Sequence, residues 1–174
     1  MIGQNPKLEV LHMNHPPQTL GPVAKSLGLR ELWISGSQAT SRGTAILKRL
    51  PALETLVVFQ PEKADDLERI AEVSQLQKVV LMFMNAVGSS PGDKAYASLA
   101  RLPNIRSIHA GIRAPSPSDE VLLTWAKIPH LRNIGFGFEE TYRRYTVDGI
   151  KAFRKARPDV ELNVDGKDYP ATKK

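Results

Sequence analysis

The chain contains no cysteine, so neither a disulfide framework nor a thiolate metal site is open to it, and a reducing compartment suits it. Aromatic residues make up only 6% of its 174 positions, so any that cluster on a surface carry weight. Long apolar runs are missing, and none approaches the roughly 20 residues that span a membrane as a helix. The opening stretch, Met1-Ile2-Gly3-Gln4-Asn5-Pro6, lacks the charged and apolar regions of a secretory signal. No nucleophile elbow, phosphate loop or zinc motif occurs. These absences lead us to expect a soluble, cytoplasmic, non-enzymatic protein with no cofactor, metal or membrane partner.

What is present is ordinary in bulk and ordered in detail. Hydrophobic residues at 41% and charged residues at 24% suit one globular domain long enough to bury a real core. The net charge of +6 leans to the C-terminal end. From Arg143 onward there are nine lysines and arginines against five acids.

Repetition is the main signal. A short alternating segment appears as Leu8-x-x-Leu11-x-Met13, Leu29-x-x-Leu32-x-Ile34, Leu53-x-x-Leu56-x-Val58, Leu76-x-x-Val79-x-Leu81, Ile105-x-x-Ile108-x-Ala110 and Leu131-x-x-Ile134-x-Phe136. The leading residues are separated by 21, 24, 23, 29 and 26 positions. A seventh version, Val160-x-Leu162-x-Val164, keeps the alternation and loses one residue of spacing. Proline stands two residues before the leading position at Pro6, Pro51, Pro103, Pro129 and Pro158, where it stops a helix and starts an extended segment. The stretches before it predict helices over Arg42–Leu50, Asp66–Ser74, Lys94–Leu102, Asp119–Ile128 and Val147–Arg157. Their apolar pairs Leu47/Leu50, Leu67/Ile70, Leu99/Leu102, Leu122/Trp125 and Ile150/Phe153 have i, i+3 spacing and form one buried stripe each. Asp119 stands where a carboxylate caps a helix start.

On these motifs the chain resembles the leucine-rich repeat family, over about residues 6–165. The resemblance implies an α/β solenoid, with a curved parallel sheet on the concave side and helices on the convex side. It implies one domain of about seven repeats over 1–166. The remaining tail over 167–174 is charged with one proline and is expected to fray. It also implies a protein-interaction module, and its sharper variant is an inhibitor or immunity-type protein. The family places Asn or Cys three residues after the third apolar position. This chain has Pro16, Ser37, Pro61, Met84, Arg113 and Glu139 there, so its loops must be held by other groups. Variable loops are expected to project at Val87–Asp93 and Glu139–Tyr145.

Strand alternation then picks out a binding face. If the leading leucines point inward, one outward row reads His12, Trp33, Val57, Val80, His109, Gly135 and Asn163. The next reads Asn14, Ser35, Phe59, Met82, Gly111, Gly137 and Asp165. We take His12, Trp33, Val57, Phe59, Val80, Met82 and His109 as the candidate partner-binding set. Burying Trp33 and Phe59 alone removes on the order of 300–500 Å² from water at about 25 cal/mol per Å². A surface ion pair offers about 0–1 kcal/mol, so the apolar ledge outranks the basic end. The alternative is nucleic-acid or anionic-surface binding through Arg143, Arg144, Lys151, Arg154, Lys155 and Arg157. The N-terminal strand has little ahead of it, and its edge is expected either to pair with a second copy or to be covered by upstream repeats of a longer protein.

Four histidines are the only side chains that could serve as nitrogen ligands or neutral-pH bases. His12-Met13-Asn14-His15 has a metal-like spacing, but His12 belongs to a strand face and His15 to the loop beyond, so they diverge. Gly135-x-Gly137 is followed by Glu140 where a dinucleotide fingerprint needs glycine. Glu139-Glu140 reads as a solvated loop.

Overall fold

The computed structural model describes residues 7–13, 20–61, 64–84 and 91–172. Met1–Pro6, the His15 loop and most of the Val87–Asp93 loop lie outside them. The fold is α/β. Strands β1 (Val10–His12), β2 (Glu31–Ser35), β3 (Thr55–Phe59), β4 (Lys78–Phe83), β5 (Ser107–Ile112), β6 (Asn133–Phe138), β7 (Glu161–Val164) and β8 (Lys167–Tyr169) form a single sheet. Their spatial order is their chain order. Neighbours from β1 to β7 pair in parallel, and β8 returns antiparallel to β7. Helices α1 (Ser41–Leu47), α2 (Ala64–Ile70), α3 (Asp93–Ser98), α4 (Asp119–Trp125) and α5 (Val147–Ala156) fall in the connections from β2 to β7. No helix of the described residues is long and apolar enough to cross a membrane.

The core lies between the helices and one face of the sheet. Leu32 and Ile34, Leu56 and Val58, Val79 and Leu81, Ile108, Ile134 and Leu162 share one buried cluster with all five helical apolar pairs. The sheet is thus covered on one side by the helices, and alternation turns the intervening residues to the other side. The leading residues Leu29, Leu53, Leu76, Ile105 and Leu131 are fully buried but precede the strands, which begin two residues later. They plug the core beneath the turn that feeds each strand. In those turns the amides of Leu53, Ile105, Leu131 and Val160 reach back to the carbonyls of Leu50, Leu102, Ile128 and Arg157 at 3.1–3.4 Å. Pro51, Pro103, Pro129 and Pro158 occupy the second turn position, whose φ proline already holds.

One backbone device recurs at the strand starts. The Arg30 carbonyl accepts from the amides of Glu54 and Thr55, both at 2.9 Å. The Glu54 carbonyl does the same for Gln77 and Lys78, Gln77 for Arg106 and Ser107, and Arg106 for Arg132 and Asn133. This chain of shared acceptors fixes the stagger of successive strands, and so places the outward rows side by side.

Several expectations are corrected. The segment expected to fray folds over 167–169 into β8. Its turn is Asp165-Gly166, with φ of 51° and 77°, and positive φ at both central residues is what a tight two-residue hairpin needs. Asp119 does not cap its own helix. Its carboxylate accepts from the Thr146 amide at 2.8 Å and the Thr146 hydroxyl at 2.7 Å, bracing the start of α5. The Glu139–Tyr145 loop does not project freely. Tyr142 O accepts from the Ser116 amide, the Arg144 amide donates to Ser116 Oγ, and the Tyr145 hydroxyl donates to the Asp165 carboxylate.

Side chains take over the work of the missing loop asparagines. Gln38 Oε1 accepts from the Ser35 amide at 3.1 Å, and Gln60 Oε1 from the Met84 amide at 3.0 Å. Arg113 pairs with Glu139 at 2.7 Å, and Asp165 Oδ1 accepts from the Phe138 amide at 3.2 Å.

Candidate functional site: the open face of the sheet

The pairing registers bring the first outward row together as read from the sequence. His12 lies beside Trp33, Trp33 beside Val57, Val57 beside Val80, Val80 beside His109, His109 beside Gly135 and Gly135 beside Asn163. Ser35, Phe59, Met82, Gly111 and Gly137 form the second row.

At the β1–β3 end the face is aromatic. The His12 and Trp33 rings stack at 3.9 Å between centroids and 26° between planes. Trp33 and Phe59 meet at 5.4 Å, tilted by 42°. Trp33 Nε1 donates to Glu31 Oε1 at 2.6 Å, and the same oxygen lies 3.4 Å from His12 Nε2. One carboxylate therefore orients the indole and steadies the imidazole above it, so this ledge is ordered before anything binds. His12 is exposed, while Trp33, Phe59, Val80 and Met82 are half-buried. Val57 differs from expectation: it is only 4% exposed. It is a short side chain beside the taller Trp33 in its own row and Phe59 two residues along its strand, so it supports the ledge and offers almost no contact area.

From β5 onward the face changes character. His109 is half-buried, and its Nε2 lies 2.8 Å from Ser107 Oγ. Burial, helped by the nearby Lys78 charge, pushes its pKa below the ordinary 6.5, so the ring is neutral at pH 7. Ser107 and His109 form a hydroxyl–imidazole couple, but among the described residues no hydrogen-bond partner orients the second ring nitrogen, as nucleophilic catalysis requires.

Beside His109 lies an open groove of about 480 Å³, which the sequence reading missed. Its lining includes Met82, His109, Gly137, Asn163, Glu161 and Asp168. Asn133 Nδ2 donates to Glu161 Oε2 at 2.9 Å, and Asn163 Nδ2 donates to Asp168 Oδ1. The available signal was three glycines at outward positions of adjacent strands, together with the Asp165-Gly166 turn that folds Asp168 against Asn163.

The six basic residues of the alternative reading are mostly engaged in structure. Arg157 donates to the carbonyls of Ala126, Ile128 and Leu131 at 3.1, 2.5 and 3.0 Å and to both oxygens of Asp159 at 3.0 Å. It satisfies the carbonyl of Ala126 that caps α4 and two carbonyls of the turn beyond it, and it holds the Asp159 carboxyl below the usual range. Arg154 donates to the carbonyls of Val160 and Pro170. Arg143 pairs with Asp165, Arg144 with Asp93 and Lys151 with Asp148. Lys155 is exposed. The six are not assembled into a single surface by any shared partner among the described residues.

No family model matches the chain, and no curated protein matches it.

Proposed function

We propose that this chain is a leucine-rich-repeat-type solenoid that binds another protein on the open face of its sheet, without catalysis. The observation that carries the reading is the preorganised ledge of His12, Trp33 and Phe59, stacked ring on ring on the side away from the helices. Aromatic side chains with a polar tip already satisfied lose little freedom on binding and contribute large contact area. Apolar patches of this kind mark interaction sites. An inhibitory or immunity-type role is the sharper form of the same reading. Among the described residues no strand lies on the side of β1 away from β2, and that edge is the place where a second copy would pair.

The basic alternative draws less support, because Arg143, Arg144, Arg154 and Arg157 already serve the fold. The test uses the full chain as bait in lysate of its source, comparing wild type with the Trp33→Ser/Phe59→Ser variant. The variant is expected to lose the specific partner while keeping a cooperative thermal transition. Retention of that partner by the variant contradicts the reading. Capture that weakens steeply between about 50 and 200 mM salt instead indicates phosphate contacts and favours the basic alternative.

A further inference from the structure

The chain's positive charge gathers along the border where the strands begin. Between each helix and the strand that follows, over 48–54, 71–77, 99–106, 126–132 and 157–160, stand seven lysines and arginines against three acids. The connections from strand to helix carry three against two among the described residues. All three acids of the richer border are already paired: Glu54 with Arg30, Glu72 with Lys48 and Asp159 with Arg157. Of the cations left there, Arg101 donates to the carbonyls of Ser98 and Glu68. Arg49 and Lys127 closely follow α1 and α4, where a cation complements the helix C-terminus. Arg106 and Arg132 have no such use.

These two arginines stand one strand apart, just before β5 and β6. The Arg106 carbonyl accepts from the amides of Arg132 and Asn133 at 2.8 and 3.0 Å, which sets their backbones about 4.8 Å apart. Both are exposed, and among the described residues neither side chain makes an ion pair or hydrogen bond. The charge of Asp159 reaches Arg132, but its two oxygens are taken by the Arg157 fork. Glu161, next along the sheet, is bonded by Asn133 Nδ2. On the other side Gln77, and not an acid, meets Arg106 through its carbonyl at 2.7 Å. Lys78 completes the group. It opens β4 beside Ser107, faces the same way as Val80, and is exposed. Its charge is felt at His109. Like charges side by side on neighbouring strands destabilise a sheet, and here no internal contact offsets that cost.

We infer that Lys78, Arg106 and Arg132 form an anion-binding corner at the border of the open face, which receives carboxylates from an acidic segment of the protein partner. The inference rests on the protein-binding reading and names part of what that partner must present. Three cations across β4–β6 span only about 10 Å, which matches two or three carboxylates on a short segment. A nucleic-acid strand is met by a longer basic groove interleaved with aromatic platforms, and this corner has none. The guanidinium fork also takes a carboxylate through two parallel bonds.

The test is an amide-detected NMR titration of the labelled full chain at about 50 mM salt with three probes: N-acetyl-tetraglutamate amide, its tetraglutamine counterpart and a short oligothymidylate. Tetraglutamate is expected to give saturable shifts at Lys78, Arg106, Ser107, Arg132 and Asn133, tetraglutamine none, and the oligonucleotide weaker ones. Arg106→Gln/Arg132→Gln should weaken tetraglutamate binding by about tenfold or more, with an unchanged or raised Tm because a like-charge contact is gone. Arg42→Gln/Lys94→Gln removes the same charge from exposed sites on α1 and α3 and should leave binding within about twofold. Equal weakening by the two double variants would reduce the effect to net charge and overturn the inference. So would tighter binding of the oligonucleotide, the absence of shifts at the corner, or a clear fall in Tm for Arg106→Gln/Arg132→Gln, which would assign those arginines to the fold. The titration needs no partner. A corner indifferent to tetraglutamate thus leaves the Trp33/Phe59 reading standing, and failure of that reading leaves the titration result as it is.

Discussion

The two tryptophans stand on opposite sides of the sheet and show what each side is for. Trp125, on α4, is fully buried, and its Nε1 donates to the backbone carbonyl of Tyr96 at 3.0 Å. Its ring sits edge-on to Tyr96, which in turn sits edge-on to Phe83. Trp33 is half-buried, donates to a side-chain carboxylate and stacks on an exposed imidazole. Trp125 is bonded into the scaffold and surrounded by it. Trp33 is steadied by its own strand and by β1 and still shows area to solvent. The same residue type thus builds the fold on one side and offers contact on the other.

The comparison can be broken most sharply at Trp125. Trp125→Ala removes the largest fully buried side chain and should cost about 3–5 kcal/mol, read as a fall in the urea midpoint. A loss below about 1 kcal/mol would mean that the helix side is not the core. Next in size is Arg157→Ala, which removes the guanidinium from three carbonyls, leaving that of Ile128 only the long bond from the Leu131 amide, and should cost about 1–3 kcal/mol in the same assay. Arg157→Lys should recover only part of it, because one ammonium cannot reproduce the planar fork. Gly166→Val forces a branched side chain to φ near 77° and should cost about 1–2 kcal/mol, with Lys167–Tyr169 amides exchanging faster than those of β4.

The smallest expected effect is that of pH on the open face. His109 has its pKa lowered in the folded protein by burial and then by Lys78. Between the lowered value and the unfolded value of about 6.5 the unfolded chain binds more protons, so stability rises with pH. The contribution is complete above about pH 6.5 and is lost as the pH falls below it. A Tm profile from pH 7.5 to 5 should therefore fall more steeply for wild type than for His109→Gln. Parallel profiles would mean that the ring is not desolvated by its place over Gly135.

Legibility from the sequence followed the physics of each feature. Core and rows were readable because alternation is a rigid consequence of strand geometry: Leu32, Leu56 and Val79 are fully buried, and the row from His12 to Asn163 pairs residue by residue. Helices were readable from their apolar pairs, although α1, α2, α3 and α4 end three or four residues before the expected limit, where the chain is already turning. Val57 was misjudged because alternation gives direction and says nothing of the height of the neighbours. The groove and β8 were missed for another reason. Both depend on Asp165-Gly166, a hairpin dipeptide after alternating apolar residues whose signal is masked by the charged composition around it. Arg157 looked like surface charge because nothing local reveals that the carbonyls of Ala126, Ile128 and Leu131 converge on it.

The most direct measurement of the central claim uses the tryptophans themselves. In a Trp125→Phe background, Trp33 is the sole reporter, and the partner captured by wild type is titrated into it. Trp33 emission should shift to the blue and lose its quenching by acrylamide as the partner binds. A bound partner that leaves Trp33 emission and quenching unchanged would place the interface somewhere other than the open face.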